Sequence, residues 1–544
     1  MILGQGRHQP ASPLLSADAG QRLVNQPVLD APVCTETLRQ PDVTRRQLAR
    51  LGPQQNPRAD TRLHPTEVTQ HTGAPCRWRK GFSSLKFAGQ ILTKMSTLLF
   101  RSTNGQSPAV NLRDAFLAGQ APDRGLYLPE RFPQFSREEI AQFAELPYRE
   151  VAFRVLRKFT EGVIPDDALA AMCNSAYDFG VPLEVIQRGV YLMRLDQGPT
   201  ASFKDFAAQM MAQMFGRFLQ ENHGEVTILT ATSGDTGAAV AHAFHEIPGV
   251  RVIVLFPIAE VSESQRKLMT TLKENVRTVA VDGKFDDCQA MVKRAFTDPA
   301  LEHIHLSSAN SINIGRLLPQ SVYYFYAASR LAQPGEPMVF SIPSGNFGDM
   351  MGAVVAREMG LPVRKIIASV NDNDSFPRYL HSGAYEKISP SRNSVSNAMN
   401  VGHPSNLARL VAVYGGQMDE TGKIHKQPDL AAMRRDIFSS SITDERTRTS
   451  LREFWNKYQI LLEPHGVVAW QGFLDWNAVE PLGNTPAVIV ETANPAKFPE
   501  EVEKVVGWAP DVPAAMTAAI QLPEDYDRMG ADYEQFRSYL LTRH

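Results

Sequence analysis

Three regimes of apolar and polar positions follow one another along the chain. Through residues 1–94 no period of 2 or 3.6 is sustained, and turn formers interrupt repeatedly, as in LGPQQNPRAD, so no face is offered for burial. This segment is expected to stay disordered, or to be a non-native extension translated ahead of a start at Met95. Its arginines suit a transit peptide, but Asp18, Asp30 and Glu36 are acidic where such peptides avoid acid. From Met95 onward MSTLLFRST reads as a strand, Asn111 to Leu117 as a helix and Ala121 to Gly125 as a turn. Residues 95–180 as a whole read as a small, mainly helical N-terminal domain.

Beyond that point strands alternate with helices. VYLMRL, EVTILTAT and VRVIVLFP are apolar runs of strand length, the last two separated by the helical SGDTGAAVAHAF. The rhythm continues through VRTVAVDG, the helix FDDCQAMVKRAF, HIHLSSAN, a long helix from Ile314 to Leu331, PMVFSI, KIIASV and AVIVET, then the helix PEEVEKVVG. Such alternation predicts an α/β fold, with parallel sheets flanked by helices over residues 181–544 and a smaller α/β domain nested at about 225–335. The segment 380–460 is less regular, and no internal repeat is evident.

Composition adds little beyond exclusions. The 544 residues are 43% hydrophobic and 21% charged, with a formal net charge of -2, and they lack the basic excess of a nucleic-acid binder. Cys34, Cys76, Cys173 and Cys288 are far apart and form no CxxC pair, which suggests neither a zinc site nor a disulfide framework and fits a cytoplasmic protein. No run of about 18 apolar residues predicts a membrane span.

Candidate chemistry begins at GPTASFKDF, residues 198–206. After Thr200 the apolar residues Phe203, Phe206, Ala207, Met210, Met211, Met214, Phe215 and Phe218 recur at three- and four-residue spacing, marking a buried helix face with Lys204 in its first turn. Ser202 and Asp205 have the spacing of a capping box, and the free amides of the helix start disfavour an ammonium ion. A lysine moved toward neutrality in this way can attack a carbonyl; the plain alternative is a helix-start lysine whose stem reaches to water. PSGNFGD, residues 343–349, sits between a strand and a helix and exposes several amides to one point, as a phosphate cradle or as an ordinary strand-to-helix turn. No GxxxxGK[ST] occurs. TSGDTG, residues 232–237, is a second such turn, able to hold a carboxylate through Ser233, Gly234, Asp235 and Thr236 or simply to be capped by Ser233 or Thr236. A lysine, a phosphate cradle and a carboxylate cradle on one parallel α/β chain together suggest pyridoxal 5′-phosphate acting on an amino acid.

With these motifs in order, the chain from Met95 to its end resembles the threonine synthases, pyridoxal-phosphate enzymes of fold type II with a tryptophan-synthase β-like fold. The resemblance rests on GPTASFKDF, TATSGDTGAAVAHAF, SANSINIGRL, PSGNFGD, SNAMNVGHPSN, EPHGVVAW and ETANPAKF. It implies that Lys204 carries the cofactor as an imine, that Gly345, Asn346, Phe347 and Gly348 hold the cofactor phosphate, and that Thr492 faces the pyridine nitrogen. It also implies conversion of O-phospho-L-homoserine and water to L-threonine and phosphate by a carbon–oxygen lyase, acting as a monomer or homodimer.

Two features depart from the family pattern. LDQGPT stands where many members have HGPT, so Asp196 and Gln197 replace an imidazole, and residues 1–94 match nothing in the family. For the leaving phosphate we expect Lys267, Ser311, Asn313 and Arg316; the same Arg316 also suits a helix-surface ion pair. His242 with His245, and His303 with His305, lack a carboxylate or cysteine to complete a metal site, whereas His465 in EPHG is the histidine expected at the functional site. The competing readings are a phospho-lyase or dehydratase of the same fold releasing 2-oxobutyrate, and a cofactor-free regulatory relative, against which Lys204 speaks.

Overall fold

In the computed structural model, which describes residues 97–222 and 224–543, the first unit is built on two short antiparallel strands, β1 (Phe100–Ser102) and β2 (Tyr127–Pro129). The reading of residues 1–94 lies outside the described residues. Between these strands α1 (Leu112–Ala118) starts where the Asn111 side chain accepts the N–H of Asp114, and it stops at Gly119, whose φ is +72°. Three helices follow: α2 (Arg137–Ala141), α3 (Tyr148–Thr160) and α4 (Asp166–Ala176). α3 buries Val151, Ala152, Val155, Leu156 and Phe159, the spacing of one helix face.

The alternating regime then unfolds in order. β3 (Leu183–Gln187) and β4 (Val190–Arg194) form a hairpin that leads into α5 (Lys204–Asn222). After it come β5 (Val226–Ala231), α6 (Asp235–Phe244), β6 (Val250–Pro257), α7 (Glu263–Thr270), β7 (Val276–Asp282), α8 (Phe285–Ala295) and β8 (Leu306–Ser307). α9 (Ile314–Leu317), α10 (Val322–Leu331), β9 (Met338–Pro343), α11 (Gly348–Glu358), β10 (Val363–Ser369) and α12 (Ser375–Ser382) continue it. The segment read as less regular holds short elements: α13 (Leu407–Val413), β11 (Gln417–Met418), β12 (Ile424–Lys426), α14 (Leu430–Asp436) and β13 (Ile437–Phe438), then the longer α15 (Asp444–Tyr458). The chain closes with α16 (Pro464–Val479), β14 (Ala487–Glu491), α17 (Pro499–Val506), α18 (Ala514–Gln521), β15 (Asp527–Gly530) and α19 (Tyr533–Arg543).

The larger sheet has the order β13-β10-β9-β14-β4-β3, with every neighbour parallel except β3, and the smaller has the all-parallel order β15-β7-β6-β5-β8. β5, β9 and β14 are buried at every position, as unbroken apolar strands covered by helices on both faces must be. The smaller sheet does not close within 225–335, since its outer strand β15 arrives from the C-terminus. The long helix read from Ile314 to Leu331 is divided by a 3-10 turn, Leu318–Ser321, because Pro319 has no N–H to continue the ladder. HIHLSSAN keeps only Leu306–Ser307 as strand; Pro299–Ile304 is instead a 3-10 turn capped by Asp298. α5 buries the face read from the sequence from Phe206 onward, and Ala208, Ala212 and Leu219 besides, so it lies deep in the core, while Phe203 precedes the helix and is half-buried. Among the described residues no helix is long and apolar enough to cross a membrane.

The topology fixes where chemistry can occur. The loops that follow β4, β5, β9 and β14 all leave the C-terminal ends of parallel strands, the position at which open α/β sheets bind ligands.

Candidate active site

The loop between β4 and α5 is held against the loop after β14 by backbone bonds: Leu195 N donates to Glu491 O (3.0 Å), Phe203 N to Thr492 O (2.9 Å) and Asn494 N to Ala201 O (3.0 Å). Ala201 adopts φ +53°, a left-handed conformation that a residue with a Cβ holds only when its surroundings enforce it. Asp205 accepts the Thr200 N–H (2.9 Å) and hydroxyl (2.6 Å). The expected capping box is one-sided: Asp205 reaches back to Ser202 N at 3.4 Å, but the Ser202 hydroxyl is buried without a partner. The reason is register, because the helix starts at Lys204 and Ser202 falls one residue before the capping position. Asp196, in the place of the family imidazole, accepts Asn494 Nδ2 (2.9 Å) and Gln197 Nε2 (2.7 Å) and pairs with Arg194, latching the same two loops together.

Lys204 is 9% exposed, and its Nζ lies 3.2 Å from Asp235 Oδ2 and 4.5 Å from the centre of the Phe203 ring. The other oxygen of Asp235 takes Lys497 Nζ at 2.9 Å and Gln265 Nε2 at 2.9 Å. Lys497 is wholly buried and also donates to Thr200 O at 2.7 Å, so two lysines share one carboxylate. Burial depresses the Lys204 amine; Asp235 opposes the shift, while Lys497 and Arg316 add to it. Burial alone would raise the Asp235 carboxyl, but Lys497 and Lys204 outweigh it and hold that group well below the carboxylate range.

The turn after β9 forms the next wall. Phe347 caps α11 with φ +63°, and the amides of Gly345, Asn346 and Phe347 donate to no acceptor among the described residues. A Cβ on Gly345 would stand 2.9 Å from Met399 Cα and 3.0 Å from Ala398 O, so only glycine lets the backbones approach this closely. Asn346 is anchored rather than free: its Oδ1 accepts Ser405 N (3.1 Å) and its carbonyl accepts Asn406 Nδ2 (2.9 Å).

On the opposite side Thr492 donates to Glu463 Oε1 at 3.2 Å. The other Glu463 oxygen meets His465 Nδ1 at 2.5 Å, and His465 Nε2 accepts the Ala398 N–H at 3.1 Å. These two bonds put the imidazole proton on Nδ1 and leave Nε2 as an acceptor.

A cavity of about 90 Å³ collects Lys204, Ser233, Thr236, Ser311 and Arg316, together with Gly345, Asn346, Phe347 and Gly348, and is closed by His465 and Thr492. It shares Asn310, Ser311 and Asn346 with a neighbouring cavity of about 400 Å³, which the N-terminal unit lines through Asn104 and Arg124. Arg316 donates to Ala309 O (3.1 Å) and keeps Nε without a partner; burial pushes its guanidinium down to about 10 against the pull of Asp205. It is therefore not the surface ion pair that was the alternative.

Four expected residues are not in this lining. Gly234 packs under Gln265, and Asp235 is spent on its two lysines. Lys267 pairs with Glu263 on α7, one turn away at 2.8 Å. Asn313 is fully engaged with Phe116 O, Ser308 O and Gly315 N, which makes it a structural cap. Among the described residues no group of three or more His, Cys, Asp or Glu is arranged to hold a metal.

Sequence reasoning assigned no role to Lys497, although ETANPAKF contains it; its signal was a lysine between Ala496 and Phe498 in the turn that follows a buried strand. It also missed Asp349 and Arg409. Arg409 is buried and spans Tyr127 O (3.0 Å), Ser311 O (2.8 Å), Ile312 O (2.6 Å) and Asn406 Oδ1 (2.5 Å), joining the N-terminal unit to the loop that carries Ser311. Its only sequence trace is a cation inside the apolar run LARLVAV.

A buried lysine facing an amide-rich turn at the ends of parallel strands defines a pyridoxal-phosphate-dependent enzyme. In agreement, residues 181–492 match the family described as "Pyridoxal-phosphate dependent enzyme". Residues 99–177 match "Threonine synthase N terminus" and residues 470–540 match "Threonine synthase, C-terminal". The chain is 39% identical over 434 residues to the threonine synthase of Haemophilus influenzae, covering 79% of this chain and 97% of that one. It is 37% identical over 435 residues to that of Escherichia coli K12, covering 80% and 97%. The crystal structure of pyridoxal-phosphate-bound threonine synthase from Brucella melitensis superposes with a TM-score of 0.75 at 35% identity, covering 81% of this chain and 98% of the other. The chain belongs to the threonine synthase family.

Proposed function

We propose that the chain binds pyridoxal 5′-phosphate through Lys204 and converts O-phospho-L-homoserine and water to L-threonine and inorganic phosphate. The observation that carries this reading is one cavity with a buried amine and two separate anion-binding arrangements, the amides of the 345–348 turn and the pair Ser311 and Arg316. A phosphorylated cofactor needs the first, and a phosphorylated substrate needs the second. The residues fit the cofactor, since three amides of the turn lack acceptors among the described residues and the buried Arg316 Nε in the same cavity wall has no partner among them. Gly345, Asn346, Phe347 and Gly348 would hold its phosphate and Thr492 would face its ring nitrogen. When bound, pyridoxal 5′-phosphate supplies the electron sink that lowers the cost of removing the substrate Cα proton.

The remaining work falls to the chain. Lys204 Nζ, depressed by burial, can stand as a neutral amine, take a proton from Cα and, once it has given that proton up, take one from Cβ. Asp235 keeps that amine within 3.2 Å in the absence of a bound carbonyl compound, while Lys497 balances the carboxylate charge. Ser233 and Thr236 are positioned to bind the substrate carboxylate; Asp235 leaves that set, being an acceptor already engaged. Ser311 and Arg316 receive the leaving phosphate, their loop braced by Arg409. A cytoplasmic, fold-type-II enzyme acting as a monomer or homodimer fits these features; Cys173 and Cys288 are free and buried.

The test is product identification from O-phospho-L-homoserine in ¹⁸O-water. L-Threonine with label in its hydroxyl is the expected result. Stoichiometric phosphate accompanied mainly by 2-oxobutyrate would overturn the synthase reading in favour of the phospho-lyase.

A further inference from the structure

Asp349 is the second residue of α11, in the helix turn that follows the amide-rich loop, and lines the same cavity, yet it is a carboxyl beside a site shaped for phosphate. It is 4% exposed. Oδ1 accepts two hydroxyls, Tyr323 at 2.5 Å and Tyr324 at 2.6 Å, both from α10, whereas the equally buried Oδ2 has no partner. A carboxylate would leave Oδ2 as a desolvated anion facing the incoming phosphate, and the two would repel.

A carboxylic acid resolves the conflict. With Oδ1 saturated by two donors, its proton belongs on Oδ2, which turns a repelling acceptor into a donor. The groups facing Asp349 from the packed elements are Tyr323 and Tyr324 of α10, Lys204 at the start of α5, Arg316 of α9 and Gln320 of the intervening turn. The Gln320 Oε1 is buried and unpartnered, and an amide oxygen is an acceptor, so it gives a charged Oδ2 no compensating donor. Burial pushes the Asp349 carboxyl up to about 6, against the tyrosine bonds and the Lys204 charge. A phosphate dianion arriving next to it moves it further in the same direction.

Resting on the function proposed above, we propose that Asp349 is a positioning residue that becomes a neutral acid when a phosphate monoester occupies the cavity and donates its Oδ2 hydroxyl to a phosphate oxygen. Binding then takes one proton from solvent. The phosphate is that of the cofactor or that of the substrate, and each source has its own experiment.

In the first, apo protein is titrated calorimetrically with pyridoxine 5′-phosphate, which has no aldehyde and leaves Lys204 unmodified, in buffers of different ionisation enthalpy at about pH 7.5, where a phosphate monoester is already a dianion. In the second, methyl phosphate, a monoester and likewise a dianion at this pH, is titrated into the holoenzyme under the same conditions. Uptake of close to one proton in the first assigns the acid to the cofactor phosphate, and uptake only in the second assigns it to the substrate phosphate. Asp349→Asn, whose amide mimics the neutral acid, should bind the same ligand within about threefold of wild type and take up no proton, whereas Asp349→Leu should bind at least about tenfold more weakly. Binding of both ligands to wild type without proton uptake overturns the role of Asp349 alone, and needs no variant to fold. Failure of both ligands to bind overturns the phosphate reading of the whole cavity, and this proposal with it.

Discussion

Replacing Lys497 by Met tests the arrangement in which two lysines share Asp235. Lys497 is wholly buried, and its Nζ makes two contacts, to Asp235 at 2.9 Å and to Thr200 O at 2.7 Å. Removing one partner of a buried ion pair costs about 3–5 kcal/mol, because it strands the other charge. Here Lys204 remains on Asp235 and Met fills most of the lysine stem, so the lower end, about 3 kcal/mol, applies. A body of roughly 450 residues, Ile91 to His544, has an unfolding entropy of about 0.9 kcal/mol/K, so Tm should fall by about 3 °C. Scanning calorimetry of the apo protein measures this, and a cycle with Asp235→Asn should give a coupling of at least about 1.5 kcal/mol. The same variant removes a repulsion from Lys204, so the pH midpoint for its reaction with pyridoxal phosphate should rise. A Tm within about 1 °C of wild type, with purely additive single losses, would refute the shared-carboxylate account.

Three further outcomes are expected. Lys204→Met should abolish borohydride-fixed labelling by pyridoxal phosphate yet leave apo Tm at neutral pH equal or higher, since Lys497 still balances Asp235. The Lys204 amine is depressed in the fold, so its penalty is full below the folded value and fades as pH rises toward the ordinary lysine value of about 10.4; wild type should gain on the variant over that window, as Tm against pH will reveal. Gly345→Ala drives a Cβ against backbone atoms, and a strain of about 1–3 kcal/mol should weaken pyridoxal phosphate binding by about tenfold to a hundredfold, read by absorbance titration. A chain beginning at Met95 should match the full chain in turnover and solubility, because nothing upstream has an apolar face to bury; loss of either contradicts that reading.

What could be read from the sequence depended on whether the signal was local. The strand runs, the α5 face and the two amide-rich turns were legible because each is a short pattern of apolar period, glycine and polar residues. The break at Pro319 was legible too, but the strong apolar period on either side masked it. Lys267 and Asn313 were drawn toward the site by charge and motif membership, and local partners, Glu263 for one and the 308–315 loop for the other, claim them instead. Lys497, Asp349 and Arg409 escaped because their meaning lies in what other elements bring to them: Asp235, two tyrosines of α10, and the carbonyls of β2 and the 311–312 loop. No window of consecutive residues contains those encounters.

The strand β15 has a consequence for how the protein is made. Ribosomes release β7, residues 276–282, long before residues 527–530 exist, so during synthesis the nascent small sheet carries one open edge of unpaired N–H and C=O groups. α19, which packs on α8 and β15, comes later still. Until the last turn of polypeptide clears the tunnel, this lobe is a template for pairing with another chain. A premature stop that falls after Lys497 but before residue 527 therefore yields a protein with every active-site side chain in its sequence and an adhesive flank that nothing covers.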